Sequence, residues 1–220
     1  MAFGDVIRSG NPPGAGYGAG GAANKIWHTS WSPSDVAYEL STIDLSVLQS
    51  NGQSGSAVGI GGDDAVVWYG TGGAPSIYKI RELDPSDLSV VRSASSPSSG
   101  PAGLGGDAST IWHDDFVTGL VYELSIIDFS VIRSGSPGHY THGVGGKAKV
   151  IWNCDLANDL IYELSVIDFS SIRSASSPDR QPTDIGGDRR TIWHQGLSLF
   201  YELDPAYIAG FIWVEGNYII

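Results

Sequence analysis

Five side chains able to hydrogen-bond a ligand stand directly after five tryptophans: His28, Tyr69, His113, Asn153 and His194. Set at even intervals, such groups would make a polar ring of the kind a sugar requires. Asp115 and Asp155 lie two positions beyond His113 and Asn153 and would add carboxylates to it. The competing reading makes each of them a strand cap bonded to backbone in a turn. Metal and nucleophile chemistry have thinner support. His139 and His142 share an i, i+3 spacing on a loop, but no third ligand accompanies them. Cys154 would face His113 from the neighbouring unit, although a buried, inert thiol explains it more simply. The chain has no Gly-x-Ser-x-Gly elbow, no His-Glu-x-x-His and no Asp-x-Asp-x-Asp-Gly loop. No catalytic residue, metal or cofactor is therefore assigned.

The elements that must carry this ring repeat along the chain. Gly-Gly pairs occur at Gly20, Gly61, Gly105, Gly145 and Gly186, and a tryptophan follows the first glycine of each by seven residues. Those tryptophans, Trp27, Trp68, Trp112, Trp152 and Trp193, are 41, 44, 40 and 41 residues apart. A tyrosine follows at Tyr38, Tyr78, Tyr122, Tyr162 and Tyr201, and an Ile-Arg or a variant of it comes ten residues later in three copies. In the second copy that interval is thirteen, which reads as a three-residue gain around Asp84-Pro85-Ser86. Residues 122–136 and 162–176 agree at 12 of 15 positions. A period of about 41 residues carrying four short β-rich runs is that of a propeller blade.

The expected fold is therefore all-β: a five-bladed β-propeller, with four antiparallel strands per blade, spanning residues 1–220 as a single domain. Val6-Ile7-Arg8-Ser9 matches a fourth strand but precedes the first Gly-rich strand, and the fifth copy leaves the pattern after Leu203. An N-terminal clasp completing the last blade follows, with Phe211-Ile212-Trp213-Val214 as a rival for that place. The tryptophans alternate with isoleucines and belong between blades. Glu123 with Arg133 and Glu163 with Arg173 should pair across the outer strands, with a contribution of about 0.5 kcal/mol. In the second copy Lys79 stands where that Glu would be. Tyr162, Leu164 and Ile172 are expected in blade-to-blade packing.

The run from Pro101 to Ser134, with its Pro-x-Gly-Leu-Gly-Gly start, Thr-Ile-Trp-His and apolar third strand, resembles the repeat of NHL and YVTN propellers. Five short copies are also similar in architecture to tachylectin-like lectins. Both resemblances imply the fold, and propellers serve unrelated functions.

A net charge of −12 argues against nucleic acid and anionic membranes as partners. The start lacks the basic and apolar regions of a signal peptide, and no run nears ~18 apolar residues. This pattern predicts a cytoplasmic protein, or one released without a signal. One cysteine excludes a disulfide framework. The favoured function is non-enzymatic binding of a protein or carbohydrate through the loop-bearing face. A purely structural scaffold is the alternative, and a hydrolase or lyase with its site in the central channel is a lesser one.

Overall fold

The computed structural model describes residues 3–22, 24–32, 35–72, 78–197 and 199–205. Twenty strands form five separate four-stranded sheets, and the described residues contain no helix. The first strand is β1 (Val6–Gly10). Blade 1 is β2 (Ala15–Ala22), β3 (Lys25–Ser32), β4 (Val36–Leu40) and β5 (Val47–Gly52). Blade 2 is β6 (Ser56–Gly62), β7 (Val67–Gly72), β8 (Lys79–Leu83) and β9 (Val90–Ser95). Blade 3 is β10 (Pro101–Asp107), β11 (Thr110–Asp115), β12 (Leu120–Leu124) and β13 (Val131–Gly135). Blade 4 is β14 (Val144–Lys147), β15 (Val150–Asp155), β16 (Leu160–Leu164) and β17 (Ser171–Ser176). Blade 5 is β18 (Asp184–Gly187), β19 (Ile192–Gln195) and β20 (Phe200–Leu203), with β1 as its fourth strand. The protein is a five-bladed β-propeller closed by its N-terminal strand. Residues 211–214, the rival for that position, lie outside the described residues.

Glycine sets the inner radius. A Cβ on Gly105 would stand 2.8 Å from Gly145 Cα, and the same approach recurs from Gly20 to Gly61 and from Gly186 back to Gly20. Innermost strands can come this close only where neither carries a side chain. The second glycine of each pair has a different reason: Gly106 has φ +153°, and a Cβ there would meet Thr110 O at 2.1 Å. Gly105→Ala should therefore cost about 3 kcal/mol or more, because the obstacle is backbone and cannot rotate away. A urea melt that gives the wild-type midpoint would refute this account of the ring.

The tryptophans fill the space between blades, all 0–1% exposed. Trp68, Trp112, Trp152 and Trp193 each donate Nε1–H to a carbonyl at the end of the next blade's innermost strand. Beneath them comes a residue from the next blade's turn between third and fourth strands. Phe129 meets Trp68 edge-on at 5.9 Å, and Phe169 meets Trp112 at 6.1 Å. Leu88 joins the cluster around Trp27, and Leu45 packs on the cluster around Trp193. To reach in, Leu45, Leu88, Phe129 and Phe169 take left-handed backbone with φ of 59–63°, a conformation that costs a non-glycine residue energy that the burial offsets. Serine and aspartate hold these turns. Asp128 Oδ1, for example, accepts from Ser130 N at 3.2 Å and from its hydroxyl at 2.7 Å.

The expected ion pairs are present, and they do more than join two strands. Arg133 Nε donates to Glu123 Oε2 at 2.5 Å, and Arg173 to Glu163 at 2.6 Å. Arg133 then reaches the next blade, donating to the carbonyls of Val166 and Ile167 while lying 4.8 Å over the Phe169 ring. Arg92 does the same to Ile126, Ile127 and Phe129. Each arginine thus fastens its blade to the following one, so its role exceeds that of an isolated outer-edge pair.

Blade 2 corrects the reading of the second copy. Arg92 pairs with Glu82, ten residues before it, and Tyr69 faces Arg81 just as His113 faces Tyr122. Arg81 therefore occupies the tyrosine position, Lys79 does not replace the Glu, and the three extra residues precede β8. Ile172 is also corrected: it is 53% exposed, as are its counterparts Leu48, Val91 and Ile132 to a similar degree. None of the helices needed to cross a membrane occurs among the described residues.

Candidate functional site

Two faces of the disc differ in construction. The turns between second and third strands and the connections between blades share one face, and the turns between first and second strands form the other. The five residues after the tryptophans point toward the first of these but do not emerge. His28, Tyr69, His113, Asn153 and His194 are all 0–1% exposed. Four of them make the same bond, donating to the carbonyl ten residues earlier in the innermost strand. His28 Nδ1 donates to Gly18 O (3.0 Å), His113 Nδ1 to Gly103 O (2.8 Å), Asn153 Nδ2 to Gly143 O (2.8 Å) and His194 Nδ1 to Asp184 O (3.2 Å). The far nitrogens of two imidazoles accept from serines, His113 from Ser96 at 2.8 Å and His194 from Ser177 at 2.9 Å. That pattern defines a neutral imidazole. Burial lowers the His28 and His194 pKa to about 4, against the opposing pull of the carbonyls, and lowers that of His113. Burial likewise raises Tyr69 to about 12.

Asp115 and Asp155 are buried as well, and each closes a turn. Asp115 accepts from the amides of Ser99, Val117 and Thr118, and Asp155 from those of Ala157 and Asn158. Burial alone would raise the Asp115 carboxyl, but the donated amides hold it below its ordinary range. The seven residues proposed from sequence thus share a face and a depth; six are hydrogen-bonded to the framework, and the buried Tyr69 hydroxyl has no hydrogen-bond partner among the described residues.

The asymmetry lies one residue further along. Two positions after the tryptophans come Thr29, Gly70, Asp114, Cys154 and Gln195, five different types where the repeat elsewhere keeps its pattern. Asp114 Oδ2 accepts from Thr141 Oγ1 at 2.6 Å and from Gly143 N at 2.9 Å, while Oδ1 accepts from Gly103 N. It ties blade 3 to the connection leading into blade 4. Asp184 does the same between blades 5 and 1, accepting from Ala19 N at 3.1 Å. Its carboxyl is pushed well above the ordinary range by burial, and the Asp114 charge adds to this. Cys154 donates to His142 O at 2.7 Å. Burial, then the carboxylates of Asp184, Asp114 and Asp155, pushes its thiol up, away from the thiolate a nucleophile needs. It is bonded away from His113, whose two nitrogens have their own partners.

His139 and His142 also diverge. His139 stacks on Tyr162 at 3.7 Å and donates Nε2–H to Asn153 Oδ1, whereas His142 Nδ1 meets Thr183 O at 3.3 Å. No cluster of three metal-holding side chains occurs among the described residues.

Apolar side chains do reach solvent on this face, among them Val117 and Leu197. Phe116 (39%) and Tyr140 (37%) are exposed aromatic side chains there. The His142 ring lies between them, 5.9 Å from Phe116 and 6.5 Å from Tyr140. The three make a platform where the 116–119 turn of blade 3 meets the 136–143 connection. Sequence reading passed over Phe116 and Tyr140; the signal was that the 136–143 connection has no counterpart in other copies. Where the paired glycines of all five blades line the axis, the channel is constricted.

No family model and no curated protein matches the sequence. Solved structures do share its architecture. The chain is similar to a Myxococcus xanthus glutaminyl cyclase, at 12% identity and a TM-score of 0.71, with 92% of this chain covering 97% of that one. It is similar to the β-propeller domain of Myceliophteria thermophila Cps50 (Swd1), at 7% identity and 0.57, over 91% and 99%. A virginiamycin B lyase from Staphylococcus aureus follows at 17% identity and 0.50, over 86% and 66%. These likenesses establish the propeller fold, in keeping with the NHL- and YVTN-like repeat.

Proposed function

We propose that this propeller is a non-catalytic binding module whose loop-bearing face takes a carbohydrate on the Phe116–His142–Tyr140 platform. The observation that carries the reading is that platform: two exposed aromatic rings, Phe116 and Tyr140, on either side of the His142 ring. The C–H face of a sugar ring stacks on such surfaces, and the Tyr140 hydroxyl supplies polar orientation. Two of the three structural neighbours are named as enzymes, but at these identities an activity does not transfer with the fold. The groups most suited to chemistry here, Cys154 and the buried aspartates, are already committed to the framework.

A glycan array followed by calorimetric titration tests this. Binding should appear for at least one sugar, and Phe116→Ala and Tyr140→Ala should each weaken it about tenfold, roughly the worth of one aromatic contact. Both residues are exposed, so the variants should melt like the parent. No binding to any sugar overturns the reading. An inactive protein that sediments well above its 23.2 kDa chain mass would favour the scaffold alternative. That alternative has its own support in the aliphatic side chains repeated along the outer strands, Ile7, Leu48, Val91, Ile132 and Ile172.

A further inference from the structure

The face opposite the loops has a depression of about 370 Å³ where the first hairpin turns of blades 3, 4 and 5 meet. Lys147, Lys149, Arg189 and Arg190 line it, together with Asp107 and Asp188. Four cations against two carboxylates is unusual in a protein with twice as many acidic as basic residues. Both carboxylates are also occupied. Asp188 Oδ1 accepts from Arg190 N (2.7 Å) and Thr191 N (3.1 Å). Asp107 accepts from Ser109 and Thr110 through Oδ1 and from Ala148 N through Oδ2.

The residue after the Gly-Gly pair departs from aspartate in two blades, as Ala22 in blade 1 and as Lys147, the one cation at this position, in blade 4. In blades 2, 3 and 5 an aspartate follows the Gly-Gly pair and caps its hairpin turn, accepting two amides: Asp63 does so from Ala65 and Val66, as Asp107 and Asp188 do in their blades. Lysine cannot accept, so blade 4 gives up that cap. A local rule broken within a near-identical repeat points to a selected role. The Lys147 ammonium instead crosses the axial mouth to blade 2, donating to Gly62 O at 3.2 Å with Asp63 Oδ2 at 3.7 Å. Lys149, Arg189 and Arg190 stand exposed around the depression, and Arg189 is braced by donating to Lys149 O at 2.8 Å.

We infer that this depression binds a phosphoryl anion, with the arginine guanidiniums gripping paired oxygens and Lys149 neutralising charge, while Lys147 at the rim stays paired with Asp63. The site is separate from the aromatic platform and does not depend on it. The acidic surroundings repel anions at long range, so binding belongs to multiply charged ligands at short range, and added salt weakens it.

Titration calorimetry in low-salt buffer with inorganic phosphate, pyrophosphate and ribose 5-phosphate as separate probes tests the inference. Saturable binding of at least one is expected, and the ranking of the three separates a free phosphate from a phosphorylated metabolite. Lys149→Ala with Arg190→Ala should weaken it at least about tenfold, the loss of one charge-assisted bond or more. Lys147→Asp should weaken it likewise while keeping or raising the melting temperature, because it restores the hairpin cap. No saturable binding by about 5 mM, a range that spans weak charge-driven sites, or unchanged affinity in the exposed double variant, overturns the proposal.

Discussion

Removal of residues 1–9 should abolish the folded ring, not merely trim it. Without residues 6–9 of β1, the third strand of blade 5 loses its partner from Val6↔Leu203 to Ser9↔Tyr201. The Arg8–Glu202 pair goes with it, as does the Arg8 guanidinium 5.3 Å over Trp193. Phe3 goes too, and it does for blade 5 what Phe129 and Phe169 do elsewhere. It stacks on Trp152 at 5.8 Å and lies under Arg173 at 4.3 Å. Phe3→Ala alone should cost about 2 kcal/mol, less than a fully buried phenylalanine because Phe3 is only half-buried. Several backbone hydrogen bonds at about 1 kcal/mol each, and a newly open strand edge, bring the total near the whole stability of a domain, roughly 5–15 kcal/mol. Circular dichroism of the truncated chain should show lost β signal or a deeply lowered melting temperature. An unchanged melting curve would mean that another segment, with residues 211–214 the candidate, serves as the fourth strand.

Acid should unfold the protein well before its carboxylates are all protonated. His28 and His194 are neutral in the fold with pKa values of about 4, against an ordinary 6.5. The unfolded chain binds their protons first, so stability present above pH 6.5 is lost as pH falls toward 4. Each contributes roughly 3 kcal/mol over that window, and His113 adds to it in the same direction. Protonation also turns the Nε2 of His113 and His194 from acceptors of serine hydroxyls into donors. Asp184 works the other way. Its raised folded pKa means its contribution is full below pH 3.8 and falls as pH rises through the window above. One carboxyl set against three imidazoles leaves the net slope positive with pH. Urea midpoints should therefore drop steeply between pH 6.5 and 4.5. A flat profile there would refute the buried, neutral imidazoles.

The invariant features of the repeat were legible because packing demands them. Five Gly-Gly pairs meet Cα to Cα around the axis, and tryptophan fits between blades, so neither can vary. The clasp was legible for the same reason, since Val6-Ile7-Arg8 keeps the Ile-Arg of a fourth strand. Blade 2 was misaligned because Tyr78-Lys79-Ile80 imitates Tyr-Glu-Leu in hydrophobic pattern, whereas the ion pair to Arg92 fixes the true register at Glu82. The site was less legible. Regular polar positions such as His28 and His113 draw the eye, yet in four of the five blades this position serves the blade itself, through a bond to the innermost chain segment. Phe116, Tyr140 and Lys147 stand out only once the repeat is known well enough to see where it fails.

The turn that closes blade 5 is made from two separate stretches of chain. Gly4 N donates to Asp204 O at 3.0 Å and Asp204 N to Asp5 O at 2.9 Å, in the places that Phe169 with Ser165 and Ser165 with Ser170 hold in blade 4. Four blades resist tension through covalent hairpins, but here the loop is open. Tension applied between residues 4 and 204 meets the β1–β20 ladder at its free end, so its rungs break in succession instead of sharing the load. The ring therefore carries a mechanical fuse, a single seam that yields at low force and opens the disc while the other blades are still intact.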